Sequence, residues 1–310
     1  ARLEPFRYEP KPLADVEVEI AISHCGICHS DVHLVDGEWG DWFPLVPGHE
    51  IVGTVVAGRA FAPGDRVGVG WQRSSCSECE HCRAGEEVLC PKHEATCQGN
   101  FGGFADRIRV NERFAFKIPD ELPSETAAPL LCAGVTVYTP LRTYAGKGSR
   151  VGVIGIGGLG HLALQFARAL GCEVTAFSRA ADKEPEARLF GADRFLTADP
   201  TKGSLDLVLN TAHASPDMET YLGALRPKGV FCQLGAPPGP LVVPAMPLIT
   251  GSLSVTGSAI GSPSVIREML AFAARQGIAA TTEVVPMREA NEALDRTRRN
   301  LARYRMVLAN

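Results

Sequence analysis

The sequence predicts an α/β chain in two parts, an irregular β-rich domain followed by a doubly wound parallel sheet. Three observations predict it. Short β-branched runs broken by Pro and Gly fill the chain up to about residue 130. From about Leu131 apolar runs alternate with helical patterns. A glycine triplet then stands at the first strand–helix junction of that second part. With 310 residues the chain is long enough for two sizeable cores.

In the first part, strands are expected at residues 16–22, 51–56, 66–69 and 104–110, separated by Pro-Gly and Pro-Gly-Asp turns. In the second, buried strands are expected at 151–154, 173–177, 194–196, 206–209, 230–234 and 253–256. Helical patterns lie between several of them, at 159–170, 184–190 and 217–225. The tail, 264–310, carries a helix with Ile266, Met269, Leu270, Phe272 and Ala273 on one face, then a short strand, a second helix and a strand at 305–308. It brings no partner strands of its own and is expected to pack back on the first part. The expected domains are therefore 1–132, with a metal lobe at 73–97, then 133–261, with 262–310 returning to the first.

Composition excludes several function classes. Apolar residues make up 45% and charged residues 21%, and the net charge of −4 offers no basic field for nucleic acid or anionic membrane. The longest apolar stretch, 151–170, is broken by glycines and does not read as a membrane span. The first residues lack the apolar core of a secretory leader, so the expected location is the cytoplasm. There, ten cysteines are not expected to form disulfides. Four of them fall between Cys76 and Cys90, which points to metal.

The glycine triplet reads Gly155-Ile-Gly157-Gly158-Leu159-Gly160, directly after a strand and at the start of a helix. In that context Gly155 allows the turn, Gly157 lets backbone approach a pyrophosphate, and Gly160 permits close helix packing. The helix N-terminus adds N–H groups and partial positive charge. At the end of the next strand, where an acid would hold the ribose hydroxyls of NAD, stand Ser178 and Arg179, with Lys183 a little later. Asp182 lies too far beyond the strand. A hydroxyl and a guanidinium suit a 2′-phosphate, so NADP(H) is the expected cofactor. The competing reading makes Arg179 and Lys183 solvated surface charges.

Cys76-x2-Cys79-x2-Cys82-x7-Cys90 supplies four thiolates within fifteen residues. Four soft ligands on a turning loop suit a tetrahedral structural zinc, whose binding would fold a lobe poor in apolar residues. An iron–sulfur cluster is the nearest rival, disfavoured by the long gap before Cys90 and the lack of a second such motif. A second set is scattered over three segments: Cys25-Gly-Ile-Cys28-His29-Ser30-Asp31-Val-His33, Gly48-His49-Glu50, and Leu131-Cys132-Ala-Gly134. One of the first two cysteines, with His49 and Cys132, gives two thiolates and an imidazole with one coordination position open, the set of a catalytic zinc. Glu50 could take or exchange into the fourth position, or stand beside the metal.

These motifs, with Gly-Ile-Gly-Gly-Leu-Gly-His161 and Ala-Arg-Tyr-Arg305, resemble the zinc-containing medium-chain alcohol dehydrogenases over nearly the whole chain. Within that superfamily the chain is most similar to the cinnamyl-alcohol-dehydrogenase group and its bacterial NADPH-dependent aldehyde reductases. The resemblance implies a GroES-like catalytic domain and a Rossmann cofactor domain. It selects Cys28 over Cys25 as the ligand and implies two zinc ions per chain. It further implies that Ser30 touches the substrate oxygen and that His33 is the outer member of a proton relay. Asp31 would orient the zinc-bound histidine. His29 and Arg305 would meet the cofactor pyrophosphate, Thr136 the nicotinamide, and Gly235 and Ala236 would complete the cofactor contacts.

The implied reaction is interconversion of small aldehydes and primary alcohols by hydride transfer, in a homodimer. Two other readings compete: an NAD-dependent polyol or secondary-alcohol dehydrogenase, disfavoured by the missing strand-end acid, and a non-catalytic relative that binds zinc and NADP. Trp39, Trp42 and Trp71, with Leu131 and Ile260, either line an apolar substrate pocket or serve as core and surface anchors. The turn at 57–64 and the connection at 199–205 are short for this group.

Overall fold

The computed structural model describes residues 2–237 and 239–310. Two compact units form, one from Ala1–Val135 with Gly261–Asn310, the other from Thr136–Ile260. Seven strands open the chain: β1 (Glu17–Gly26), β2 (Glu50–Ala57), β3 (Arg66–Val69), β4 (Gln72–Ser74), β5 (Glu94–Ala95), β6 (Arg107–Asn111) and β7 (Ala115–Lys117). Six follow in the second unit: β8 (Arg150–Ile154), β9 (Glu173–Phe177), β10 (Arg194–Leu196), β11 (Leu205–Asn210), β12 (Leu225–Gln233) and β13 (Ser254–Gly257). The last two, β14 (Thr282–Pro286) and β15 (Arg305–Ala309), belong to the first unit.

The first unit is built on one sheet in the order β14-β15-β1-β2-β3-β7, with β6 also paired to β1. β15 runs antiparallel to β1, pairing Cys25 with Leu308. Val18, Ile20 and Ile22 follow the two-residue period of a half-buried strand, yet the next core residue is Cys25. A register shift between Ile22 and His24 accounts for the change of phase. Ile51, Val55, Val67, Val69, Ile108 and Val110 complete this core. A second apolar cluster joins Ile27, Val32 and Val35 to Ala293, Leu294, Met306 and Leu308. The returning tail thereby seats the helix His29–Val35, which carries Ser30 and His33.

The second unit holds a six-stranded, all-parallel sheet in the order β10-β9-β8-β11-β12-β13. Strand order reverses at β8, so the crevice at the carboxyl ends of β8 and β11 is the switch point where such sheets bind ligands. Phe177, Leu205, Val208, Leu222 and Phe231 form a core on one face. The expected fold class is the one observed. Among the described residues, no helix is long and apolar enough to cross a membrane.

Candidate active site

β1 ends at Gly26, and two residues later Cys28 becomes the N-cap of the helix His29–Val35. Asp31, in the first turn, accepts the Cys28 N–H at 2.9 Å, which closes a capping box. Its other oxygen accepts the Gly48 N–H at 2.8 Å and lies 3.0 Å from His49 Nδ1. Asp31 is fully buried, so these donors are what make its charge tolerable there. Gly48 adopts φ +102°, and a Cβ on it would stand 2.8 Å from Cys25 Sγ and 2.6 Å from the Phe104 ring. Only glycine lets the chain turn here and present His49.

With Nδ1 donating to Asp31, the bare Nε2 of His49 is buried and has no hydrogen-bond partner. It joins Cys28, Cys132 and Glu50, whose ligating atoms all lie within 4.8 Å of one another. Cys132 reaches the group from the end of the one-turn helix Ala128–Leu131. Glu50, the first residue of β2, pairs one oxygen with the Arg305 guanidinium, and its other oxygen is buried without a partner. Such orphaned buried groups are costly unless a cation meets them. Two sulfurs, a bare imidazole nitrogen and a nearby carboxylate fit a catalytic zinc.

Packed this closely, the four groups act strongly on one another's charge. A hydrogen bond from Cys132 holds the Cys28 thiol well below its usual range against the cost of burial, while Cys132, the donor, is pushed well up. Burial opposes a charge on His49, but Asp31 and Cys132 outweigh it and raise its pKa. Burial pushes the Glu50 carboxyl up to about 7, against the pull of Arg305.

Around this group, Ser30 Oγ lies 3.6 Å from Cys28 Sγ. His33 is buried, with Nδ1 bonded to a carboxylate oxygen of Glu38. The His33 ring stacks on Trp39 at 4.8 Å and sits 5.1 Å from the ring of His29. Trp71 stands edge-on to His49 at 4.9 Å and to Trp39 at 6.2 Å. Trp42 instead donates to the Trp39 carbonyl, and Leu131 is fully buried beneath Gly68 and Gly70, so Leu131 is core and lines no pocket. Ile260 is also buried, in the second unit. Arg305 is placed with its guanidinium on Glu50, and only 6% of the residue is exposed.

Two residues escaped the sequence reading. Glu38 follows His33 by five positions, just beyond the helix end, a spacing with no signature of its own. Cys97 is fully buried with Sγ 3.7 Å from His49 Nδ1, and only the fold brings it there.

The four-cysteine lobe is compact. Cys76 Sγ lies 3.5 Å from that of Cys90 and 3.9 Å from that of Cys82, and all four sulfurs fall within 4.8 Å of one another. Sulfurs on a tetrahedral zinc with its usual bond lengths are about 3.8 Å apart, so the set fits. Backbone N–H groups of Glu78 and Cys79 aim at Cys76 and pull its thiol down to about 6. Gln72 braces the lobe by donating to the Glu87 carbonyl at 2.8 Å, and Arg113 pairs with the Glu87 carboxylate at 3.1 Å.

In the second unit Gly155 turns with φ +85°, and the helix Gly160–Ala169 starts directly beyond the turn. A Cβ on Gly160 would lie 2.0 Å from the Gly155 carbonyl oxygen, whereas one on Gly157 would meet nothing, leaving that backbone open to a ligand. Gly158 and Leu159 complete the turn. Ser178 follows β9 directly and accepts the Ala180 N–H. Arg179 is exposed, and Lys183 Nζ donates to the Ile156 carbonyl on the glycine turn at 2.6 Å. Gly235 and Ala236 follow β12, and Thr136 lies in the helix Ala133–Tyr144. An open Gly157, a helix N-terminus and cationic groups after β9 fit a dinucleotide phosphate.

Residues 14–120 match the model of the alcohol dehydrogenase GroES-like domain, and residues 158–275 that of the zinc-binding dehydrogenases. The chain is 43% identical to the probable formaldehyde dehydrogenase AdhA of Bacillus subtilis (strain 168), over 99% of this chain and 94% of that protein. The chain belongs to the zinc-binding medium-chain alcohol dehydrogenases. It is also 41% identical to the aldehyde reductase AdhA of Synechocystis sp. (strain ATCC 27184 / PCC 6803 / Kazusa), covering 100% of this chain and 96% of that one. Among solved structures, a cinnamyl alcohol dehydrogenase from Helicobacter pylori complexed with NADP(H) superposes with a TM-score of 0.90 at 33% identity, covering 96% and 91% of the two chains. As an alcohol dehydrogenase of this family, the chain interconverts aldehydes and alcohols.

Proposed function

We propose that this dehydrogenase exchanges a hydride between NADP(H) and small aldehydes or primary alcohols, at a zinc ion held by Cys28, His49 and Cys132. The observation that carries the reading is the bare, buried Nε2 of His49 set among two thiols and a carboxylate. Zinc bound there supplies Lewis acidity toward a carbonyl oxygen, and the nicotinamide supplies or takes the hydride. Asp31 fixes the His49 tautomer and ring orientation. Ser30, beside Cys28, is the hydroxyl that gives or takes the substrate proton. His33, its Nδ1 held by Glu38, passes that proton outward. Trp39 and Trp71 give the site an aromatic wall suited to apolar aldehydes. Glu50 and Arg305 balance each other's charge beside the metal. Cys76, Cys79, Cys82 and Cys90 hold a second, structural zinc.

NADP(H) is favoured because Ser178 and Arg179 stand where an acid would select NAD, and because a relative binds it. The six thiols assigned to zinc need a reducing compartment such as the cytoplasm. The edge strand β13 follows a helix, Ala245–Gly251, that exposes Met246 and Ile249, an arrangement suited to pairing two copies into a homodimer.

The cofactor reading is tested by Ser178→Asp combined with Arg179→Ala. The ratio of kcat/KM for NADPH over NADH should fall by about one to two orders of magnitude, as a charge-assisted contact is replaced by repulsion. A ratio that does not move would remove these residues from cofactor selection.

A further inference from the structure

Beyond the metal and phosphate groups, the second unit contains a polar lattice that neither assignment uses. Asn210 ends β11 fully buried, in register with Gln233 at the end of β12. Its side-chain oxygen accepts the Ala212 N–H at 3.2 Å, which fixes the orientation of the amide. The Asn210 amide nitrogen then donates to Gln233 Oε1 at 2.9 Å, and Gln233 Nε2 donates to the Gly235 carbonyl at 2.7 Å. The Asn210 main-chain carbonyl accepts the N–H groups of both Leu234 and Gly235 at 3.0 Å. Thr211 Oγ1 extends the set to β8, lying 2.8 Å from the Ile154 carbonyl oxygen and 2.9 Å from that of Gly155.

Apart from the bond that joins the two side chains, the side-chain hydrogen bonds of this amide pair reach the turns after β11 and β12. Those turns are tightly interlocked. A Cβ on Gly235 would stand 2.1 Å from the Ala212 carbonyl oxygen, and one on Gly155 3.2 Å from Ala212 Cβ. The turns after β8, β11 and β12 therefore have one mutual spacing, with Ala212 wedged between two glycines. Buried side-chain amides replacing apolar residues between parallel strands cost desolvation, which is offset only if every group is paired, as here. A pair of this kind specifies geometry more than stability.

We propose that Asn210 and Gln233 are positioning residues that fix the turn at 235–236 relative to the pyrophosphate turn at 155–160, and so place the nicotinamide half of the cofactor. The inference rests on the NADP(H) reading above. A dinucleotide bridging two turns gains affinity for its second half only while their spacing matches the ligand.

The test uses Gln233→Met, which keeps volume and removes both side-chain bonds, and Gln233→Glu, which keeps the acceptor for Asn210 but loses the donor to Gly235. Binding of NADPH and of 2′,5′-ADP, which is only the adenosine half, is measured by titration calorimetry alongside the melting temperature without ligand. Both variants should weaken NADPH about tenfold, the worth of one or two hydrogen bonds, and leave 2′,5′-ADP within twofold. Equal weakening of both ligands, or of neither, would overturn the positioning role. Should Gln233→Met not fold, Gln233→Glu carries the same comparison. Failure of the wild-type protein to bind either ligand would instead refute the NADP(H) reading itself.

Discussion

Two chain segments meet on one carboxylate, since Asp31 accepts from the N–H groups of Cys28 and Gly48 and orients His49. Replacing it by Ala should weaken retention of the catalytic zinc by about 10- to 100-fold, read by competition with a chromogenic chelator. Retention equal to wild type would show that His49 is held by packing alone. Glu38 stands one contact further out, bonded to His33 Nδ1. Glu38→Gln should lower kcat about tenfold with little change in KM, and added imidazole should restore part of the loss. A normal kcat would take Glu38 out of the proton path. At this scale, the segments rich in Cys, His and Gly were readable because those residue types at those spacings have few other uses. Glu38 and Cys97 were not, because an acid after a helix and a lone cysteine gain meaning only when the turn at 36–38 and the chain near 97 have folded. Arg305, which the family resemblance assigns to the pyrophosphate, also pairs with Glu50, a contact that nothing in its own segment announces.

Among the elements, β1 holds the first unit together by pairing with β2, β6 and β15. Glu19 on this strand pairs with Arg107 at 2.7 Å and Arg109 at 2.5 Å across the β1–β6 ladder. Burial opposes its charge, but the two guanidinium groups outweigh that and lower its pKa. A depressed folded-state value means the stabilisation is present above the unfolded carboxyl range and lost as pH falls through the folded value. Glu19→Gln should therefore cost about 1 kcal/mol near neutral pH, modest because the arginines are partly solvated, and progressively less below about pH 4.5. Denaturant melts at both pH values read the difference, and a cost independent of pH would contradict the ion-pair account. The period-two pattern of β1 was visible only to residue 22, because the bulge changes its phase before Cys25. The strands β4 and β5, three and two residues long, carry too little pattern to be read and exist as the frame of the cysteine lobe. The helix Ala133–Tyr144 was missed because Pro140 lies inside it.

For the whole molecule, the glycine turn and the strand–helix rhythm were enough to give the fold class, since a parallel sheet needs crossovers and buried strands. Strand order was beyond the sequence, because nothing local states that β8 pairs with both β9 and β11, or that the terminal β15 lies on β1. The two metal groups and the phosphate turn together carry the account of a zinc- and NADP(H)-dependent aldehyde reductase. The most direct check is the initial rate of reduction of benzaldehyde-type and medium-chain aldehydes, run in parallel with NADPH and NADH on protein whose zinc has been quantified. The account predicts two zinc ions per chain and turnover clearly faster with NADPH. Protein that holds zinc and binds the cofactor yet reduces no aldehyde with either would contradict it.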